Sequence, residues 1–137
     1  MDRQPYLGRT ALLVDDDPDC LLQVRSYLEA LGFQVREGGS QAEGEALIAQ
    51  GRPDLAVFDL MMEHHDSGFV LAHRLKKAHP DTPVILVTGV VAETGFRFSD
   101  TEPAERAWIR ADAVLDKGIR FEQLKREVER LLPVVAG

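Results

Sequence analysis

Short apolar runs that stop abruptly on polar side chains constrain this chain more than any other feature. Ala11-Leu12-Leu13-Val14 ends at Asp15, Asp16 and Asp17. Leu55-Ala56-Val57-Phe58 ends at Asp59, and Val84-Ile85-Leu86-Val87 ends at Thr88. A fourth run, Ala113-Val114-Leu115, ends at Asp116 and Lys117. Runs of this length without polar alternation are expected of strands buried on both faces, which is the habit of parallel sheets flanked by helices.

The segments between them carry helical periodicity. Asp17 followed by Pro18 reads as an N-cap with proline at the first helical position. Leu21, Leu22, Val24, Leu28 and Leu31 then recur at helical spacing up to Gly32, a C-cap signal. Phe33–Arg36 is a less apolar strand, expected near a sheet edge. Ser40 with Glu43 is a capping-box signal for a helix that turns Ala42, Ala46, Leu47 and Ile48 inward and stops at Gly51. A third helix runs from about Phe69 to Ala78, with Phe69, Leu71, Ala72 and Leu75 as its apolar members, and His79-Pro80-Asp81 breaks it. Thr101 to about Arg110 and Phe121 to Leu132 complete the set. Five strands alternating with five helices predict one α/β domain with a parallel sheet and helices on both faces. Residues 1–9 read as a lead-in, 10–132 as the domain and 133–137 as a tail. In such sheets, function collects at the carboxyl ends of the strands, where the polar stops lie.

Charge and length narrow the partners. Sixteen basic against 23 acidic residues give a net charge of −7. That balance argues against a general nucleic-acid or membrane-surface binder, both of which want a basic face. No apolar run approaches a membrane span, and Met1-Asp2-Arg3-Gln4-Pro5 lacks the plan of a signal peptide. Cys20 is the single cysteine, so no internal disulfide forms, and a cytoplasmic setting is expected. Within an amphipathic helix, Cys20 reads as a small packing residue rather than a reactive thiol.

Carboxylates that converge on one sheet edge repel one another. A small hard cation with oxygen ligands, Mg²⁺ above all, relieves that repulsion and shares its shell with phosphate. Asp59 is then a candidate nucleophile for an aspartyl-phosphate. Lys117 would balance the charge of the carboxylate or incoming phosphoryl group, and the Thr88 hydroxyl would donate to a phosphoryl oxygen. Phosphoryl transfer needs mainly positioning and charge neutralisation, which these residue types provide.

Four motifs in order carry a resemblance. Leu12-Leu13-Val14-Asp15-Asp16-Asp17-Pro18, Asp54-Leu55-Ala56-Val57-Phe58-Asp59-Leu60-Met61-Met62, Val84-Ile85-Leu86-Val87-Thr88-Gly89 and Val114-Leu115-Asp116-Lys117 together resemble the receiver domains of two-component response regulators. The resemblance spans residues 10 to about 132. It implies a CheY-like, flavodoxin-like (βα)5 doubly wound sandwich with strand order 2-1-3-4-5. It implies Asp59 as phosphoacceptor from a sensor histidine kinase or phosphotransfer protein. Asp15, Asp16, Asp59 and the backbone carbonyl of Met61 would hold Mg²⁺, and Thr88 and Lys117 would hold the phosphoryl oxygens. It implies a signalling domain rather than an enzyme, with output through contacts to a protein target and with a phosphorylation-linked homodimer left open. Two other readings remain: a degenerate receiver that binds without phosphorylation, and an aspartate-nucleophile phosphatase. The second usually needs another acid two residues after the nucleophile, where this chain has Met61.

The chain also departs from the family's pattern. Receivers usually place proline after the lysine, often with a cis bond; here Gly118 follows Lys117, and a trans bond is expected. Val114 stands where a switch aromatic is usual. Glu63 replaces a proline in the loop after Asp59, which also carries His64 and His65, read as exposed polar residues. The stretch between Thr88 and Lys117 is longer than a minimal receiver's, and Phe96 and Phe98 within it read as a local cluster. Trp108, with Ile109 and Arg110, falls on the helix expected to meet partners.

Overall fold

The computed structural model describes residues 5–60, 62, 67–88 and 111–133. Five strands are present: β1 (Thr10–Val14), β2 (Gln34–Gly38), β3 (Leu55–Asp59), β4 (Val84–Thr88) and β5 (Ala113–Asp116). They form one parallel sheet in the order β2-β1-β3-β4-β5, as expected. Four helices are described: α1 (Pro18–Ala30), α2 (Gln41–Gln50), α3 (Ser67–Ala78) and α4 (Phe121–Leu131). The helix expected over 101–110 lies outside the described residues.

The uninterrupted apolar runs become the inner strands. Every residue of β3 and β4 is buried, whereas β2, with its polar sequence, takes an edge. Side chains alternate across a strand, so each run feeds two cores. Ala11 and Leu13 face α1 and α4, where Val24, Leu28, Leu124 and Val128 pack. Leu12 and Val14 face α2 and α3, where Ile48, Leu71, Ala72 and Leu75 pack. Covering both faces removes the water that would compete for the ladder hydrogen bonds, and it leaves only the strand ends free for chemistry.

Local chemistry starts the helices where the sequence indicated. The Asp17 carboxylate accepts from the backbone N–H of Asp19, with Pro18 leading α1. Ser40 Oγ accepts from the N–H of Glu43 at 3.1 Å. Glu43 in turn accepts from the N–H of Gly39 at 2.6 Å, one residue earlier than the usual reciprocal partner.

One member of the apolar repeat of α1 faces outward, and two inward assignments in α2 are corrected. Leu22 is 67% exposed, because Cys20, Val24 and Leu28 define the buried stripe of α1. Ala42 and Ala46 are exposed as well. The inner face of α2 is carried by Gly44 and Ile48. A Cβ on Gly44 would stand 3.0 Å from both methyls of Leu71 and 3.2 Å from Val14, so glycine lets α2 and α3 approach closely.

The lead-in contributes to the packing. Tyr6 is 1% exposed and stacks on Phe33 with ring centroids 5.0 Å apart. Its hydroxyl donates to the carbonyl of Leu132 at 2.7 Å, tying the start of the domain to the end of α4. The two parts of this tether separate by substitution. In urea denaturation, Tyr6→Phe should lose about 1 kcal/mol, the worth of one hydrogen bond. Tyr6→Ala should lose about 3–5 kcal/mol through the vacated aromatic site. Equal losses would place the stabilisation in the hydroxyl alone.

Candidate functional site

Register brings the polar strand ends together. Val14 pairs with Phe58, Asp59 with Val87, and Thr88 with Asp116, so Asp15, Asp59, Thr88 and Lys117 emerge along one end of the sheet. Asp15 is 2% exposed and Asp59 3%. Asp16 is exposed. Carboxylate oxygens of Asp15, Asp16 and Asp59 all lie within 4.8 Å of one another. The Lys117 ammonium stands 3.4 Å from Asp15 Oδ1 and 3.4 Å from Asp59 Oδ2, bridging the two buried acids.

Each of these groups is held from its own element. The Asp15 N–H donates to the carbonyl of Gly38, continuing the sheet by one bond. Asp15 Oδ1 also accepts from the N–H of Asp17 at 2.9 Å, which orients the carboxylate. The Lys117 N–H donates to the carbonyl of Thr88 at 3.0 Å, so β5 delivers the lysine beside the hydroxyl that ends β4. Thr88 is fully buried. Gly68 lets the start of α3 tuck beneath Asp59: a Cβ there would lie 2.6 Å from the Asp59 carbonyl oxygen, and the Gly68 N–H donates to the Leu60 carbonyl.

The electrostatics follow from this crowding. Burial, and then the Asp15 carboxylate beside it, push Asp59 up to about 7; Lys117 opposes both. Burial alone would lower the Lys117 ammonium, but Asp15 and Asp59 outweigh it and hold the group above its ordinary value. The Cys20 thiol is pushed up to about 12 by burial and by its hydrogen bond to Asp15. It stays a thiol, in keeping with a packing role, since the thiolate is the reactive form. The contact with Asp15 had no signal in the sequence beyond the position of Cys20 in the first turn of α1.

Among the described residues the donor set is all oxygen, acidic and short of positive charge. One ammonium faces two buried carboxylates and a third beside them, so the residues fit a small hard cation such as Mg²⁺. Two of the five strand-end carboxylates do not join this group. Asp17 caps α1, and Asp116 is exposed at the end of β5. Val114 is half-buried against the core that α2 and α3 share, with no ring at its position. The bond from Lys117 to Gly118 is trans, as expected. Met61, Glu63, His64, His65, Phe96, Phe98, Trp108, Ile109 and Arg110 lie outside the described residues.

Comparison with known proteins gives consistent results. The family model for the response regulator receiver domain matches residues 11–129. The transcriptional regulatory protein RprY of Bacteroides fragilis is 29% identical over 126 residues, which is 92% of this chain and 50% of that protein. The photosynthetic apparatus regulatory protein RegA of Cereibacter sphaeroides is 39% identical over 82 residues, 59% of this chain and 44% of that protein. The chain thus spans half or less of the length of these relatives. Among solved structures, a CheY-like receiver domain protein from Methanospirillum hungatei has a TM-score of 0.72 at 25% identity, covering 90% of this chain and 93% of that one. The response regulator TrrA of Thermotoga maritima, in complex with Mg²⁺ and BeF, has a TM-score of 0.72 at 27% identity, covering 90% and 99%.

The raised value of Asp59 has a defined sign for stability. The folded state binds this proton more tightly than the unfolded chain, whose carboxyl titrates near 3.8. The stabilisation is therefore complete below that value and is lost as pH rises through about 7. Millimolar MgCl2 should raise the melting temperature more at pH 8 than at pH 5.5, where the proton competes for the same oxygens. Asp59→Asn should flatten that difference. Equal Mg²⁺ shifts at both pH values would contradict the crowding described above.

Proposed function

The chain belongs to the response regulator receiver domain family, and from that premise we propose that it accepts a phosphoryl group on Asp59 in a Mg²⁺-dependent reaction. The observation that carries this reading is the pair of buried carboxylates, Asp15 and Asp59, bridged by Lys117 with Asp16 beside them. The donor is a phosphohistidine on a sensor histidine kinase or phosphotransfer protein, the source typical of two-component signalling.

In the transfer, an Asp59 carboxylate oxygen attacks phosphorus as the bond from phosphorus to the histidine nitrogen breaks. The electron pair of that bond stays on the imidazole, which takes up a proton as it leaves. The ionised form of Asp59 is the nucleophile, so its elevated proton affinity in the bare site has to be overcome. Asp15, Asp16 and Asp59 would hold Mg²⁺, with the Met61 carbonyl as a further ligand. Bound there, the ion supplies positive charge shared between the carboxylates and the phosphoryl oxygens. Lys117, already within 3.4 Å of Asp59 Oδ2, takes one phosphoryl oxygen. The Thr88 hydroxyl, at the neighbouring strand end, donates to another. Both act by charge and position, which is where catalysis of phosphoryl transfer mainly lies.

The phosphorylated domain then signals through protein contacts, in the cytoplasm, to a target that the site itself does not specify. No helix among the described residues is long and apolar enough to cross a membrane.

Incubation with Mg²⁺ and acetyl phosphate tests the reading. Intact-mass measurement should show one added phosphoryl group, lost in Asp59→Asn and abolished by chelation. Lys117→Ala should slow uptake by about 100-fold or more, the scale of losing one charge-stabilising donor. No modification of the wild-type protein would favour a phosphorylation-independent binding module, and turnover of phosphate esters would favour a hydrolase.

A further inference from the structure

Lys117 works at the end of β5 with both of its ends constrained. Its N–H donates to the carbonyl of Thr88, and its ammonium reaches two acids at the ends of two other strands. Only three residues separate it from the start of α4 at Phe121. Within them the chain has to bury Ile119, which is 2% exposed, and present Arg120, whose N–H donates to Gln123 Oε1 at 3.0 Å. That reversal is made at Gly118, where φ is +88°. A Cβ on Gly118 would meet nothing within 4 Å, so glycine is required by backbone conformation and not by space.

We propose that Gly118 is a positioning residue for phosphoryl transfer: its left-handed turn sets the direction from which Lys117 reaches Asp15 and Asp59. This inference rests on the proposed phosphoacceptor reading. The physical argument concerns where a misfit would go. Beyond the turn, Ile119 is locked in the core beneath α1 and α4. Before it, β5 is held in register by β4. A residue that resists positive φ therefore shifts the junction between them, and the side chain at that junction is Lys117. Proline, with φ fixed near −65°, cannot adopt the observed turn at all. The substitution that would bring this loop nearer the usual receiver sequence should therefore impair this chain.

The test compares wild type with Gly118→Ala, Gly118→Asn and Gly118→Pro. Rates of phosphorylation by acetyl phosphate and Mg²⁺ affinity by calorimetry are measured on the same samples, with melting temperature as a check of folding. Asparagine tolerates the left-handed region far better than alanine. Gly118→Ala should slow phosphorylation by about tenfold, Gly118→Asn should stay within about threefold of wild type, and Gly118→Pro should be slowest. Mg²⁺ affinity should not fall in the alanine and asparagine variants, because Lys117 is not a metal ligand and its ammonium competes with a cation for Asp15 and Asp59. The alanine–asparagine pair carries the test even if the proline variant does not fold. Equal rates for alanine and wild type would overturn the inference. So would failure of asparagine to rescue, or a loss of Mg²⁺ affinity in step with rate. A wild-type protein that takes up no phosphoryl group would instead overturn the proposed function.

Discussion

Two carboxylates share a buried corner with one ammonium, and the rest of the site is arranged around that imbalance. Asp15 and Asp59 come from adjacent parallel strands, so the ladder that holds the sheet together also holds the two charges together. Burial and then the Asp15 charge raise the proton affinity of Asp59, and Lys117 offsets only part of the two. Burial strengthens every one of these interactions, attractive and repulsive alike. The outcome is a site that gains from any added positive charge. The same crowding that costs stability makes the pocket responsive.

The fold supplies the geometry at low conformational freedom. Parallel strands buried on both faces fix which residues end side by side, and a slip of one residue would send every core side chain to the wrong layer. The helices then close the two faces through specific close approaches, at Gly44 against Leu71 and at Gly68 against the Asp59 carbonyl. Beneath the site, α3 is brought in by the second of these contacts. Opposite it, Asp17 caps α1 while its backbone N–H steadies Asp15, so one short acidic run both starts a helix and orients a buried carboxylate.

Much of this was legible in the residues because the signals were strong and redundant. The runs ending at Asp15, Asp59 and Thr88 admitted little but inner strands, and the sheet places them so. Edge status for the second strand followed from its polar composition, although the strand itself is Gln34–Gly38, with Phe33 packing in the core just ahead of it. Helix faces were less legible. Ala42 and Ala46 read as inward and Leu22 as part of the apolar repeat, but helix orientation is set by what the sheet can accommodate, and a glycine was needed where two helices touch. Asp116 shared the strand-end position of the other acids yet is exposed at the end of the edge strand β5. The Cys20 contact and the backbone conformation of Gly118 depend on three-dimensional approach and leave no periodic trace. The missing proline after Lys117 marked that loop as unusual without showing that it turns through positive φ.

The most direct test is the titration of the Asp59 carboxyl itself, followed by NMR with carboxyl-labelled aspartate, with and without Mg²⁺. Burial beside a second carboxylate predicts a midpoint close to 7 in the metal-free protein, falling well into the acid range when Mg²⁺ is saturating. An ordinary carboxylate midpoint that Mg²⁺ leaves unchanged would contradict the account.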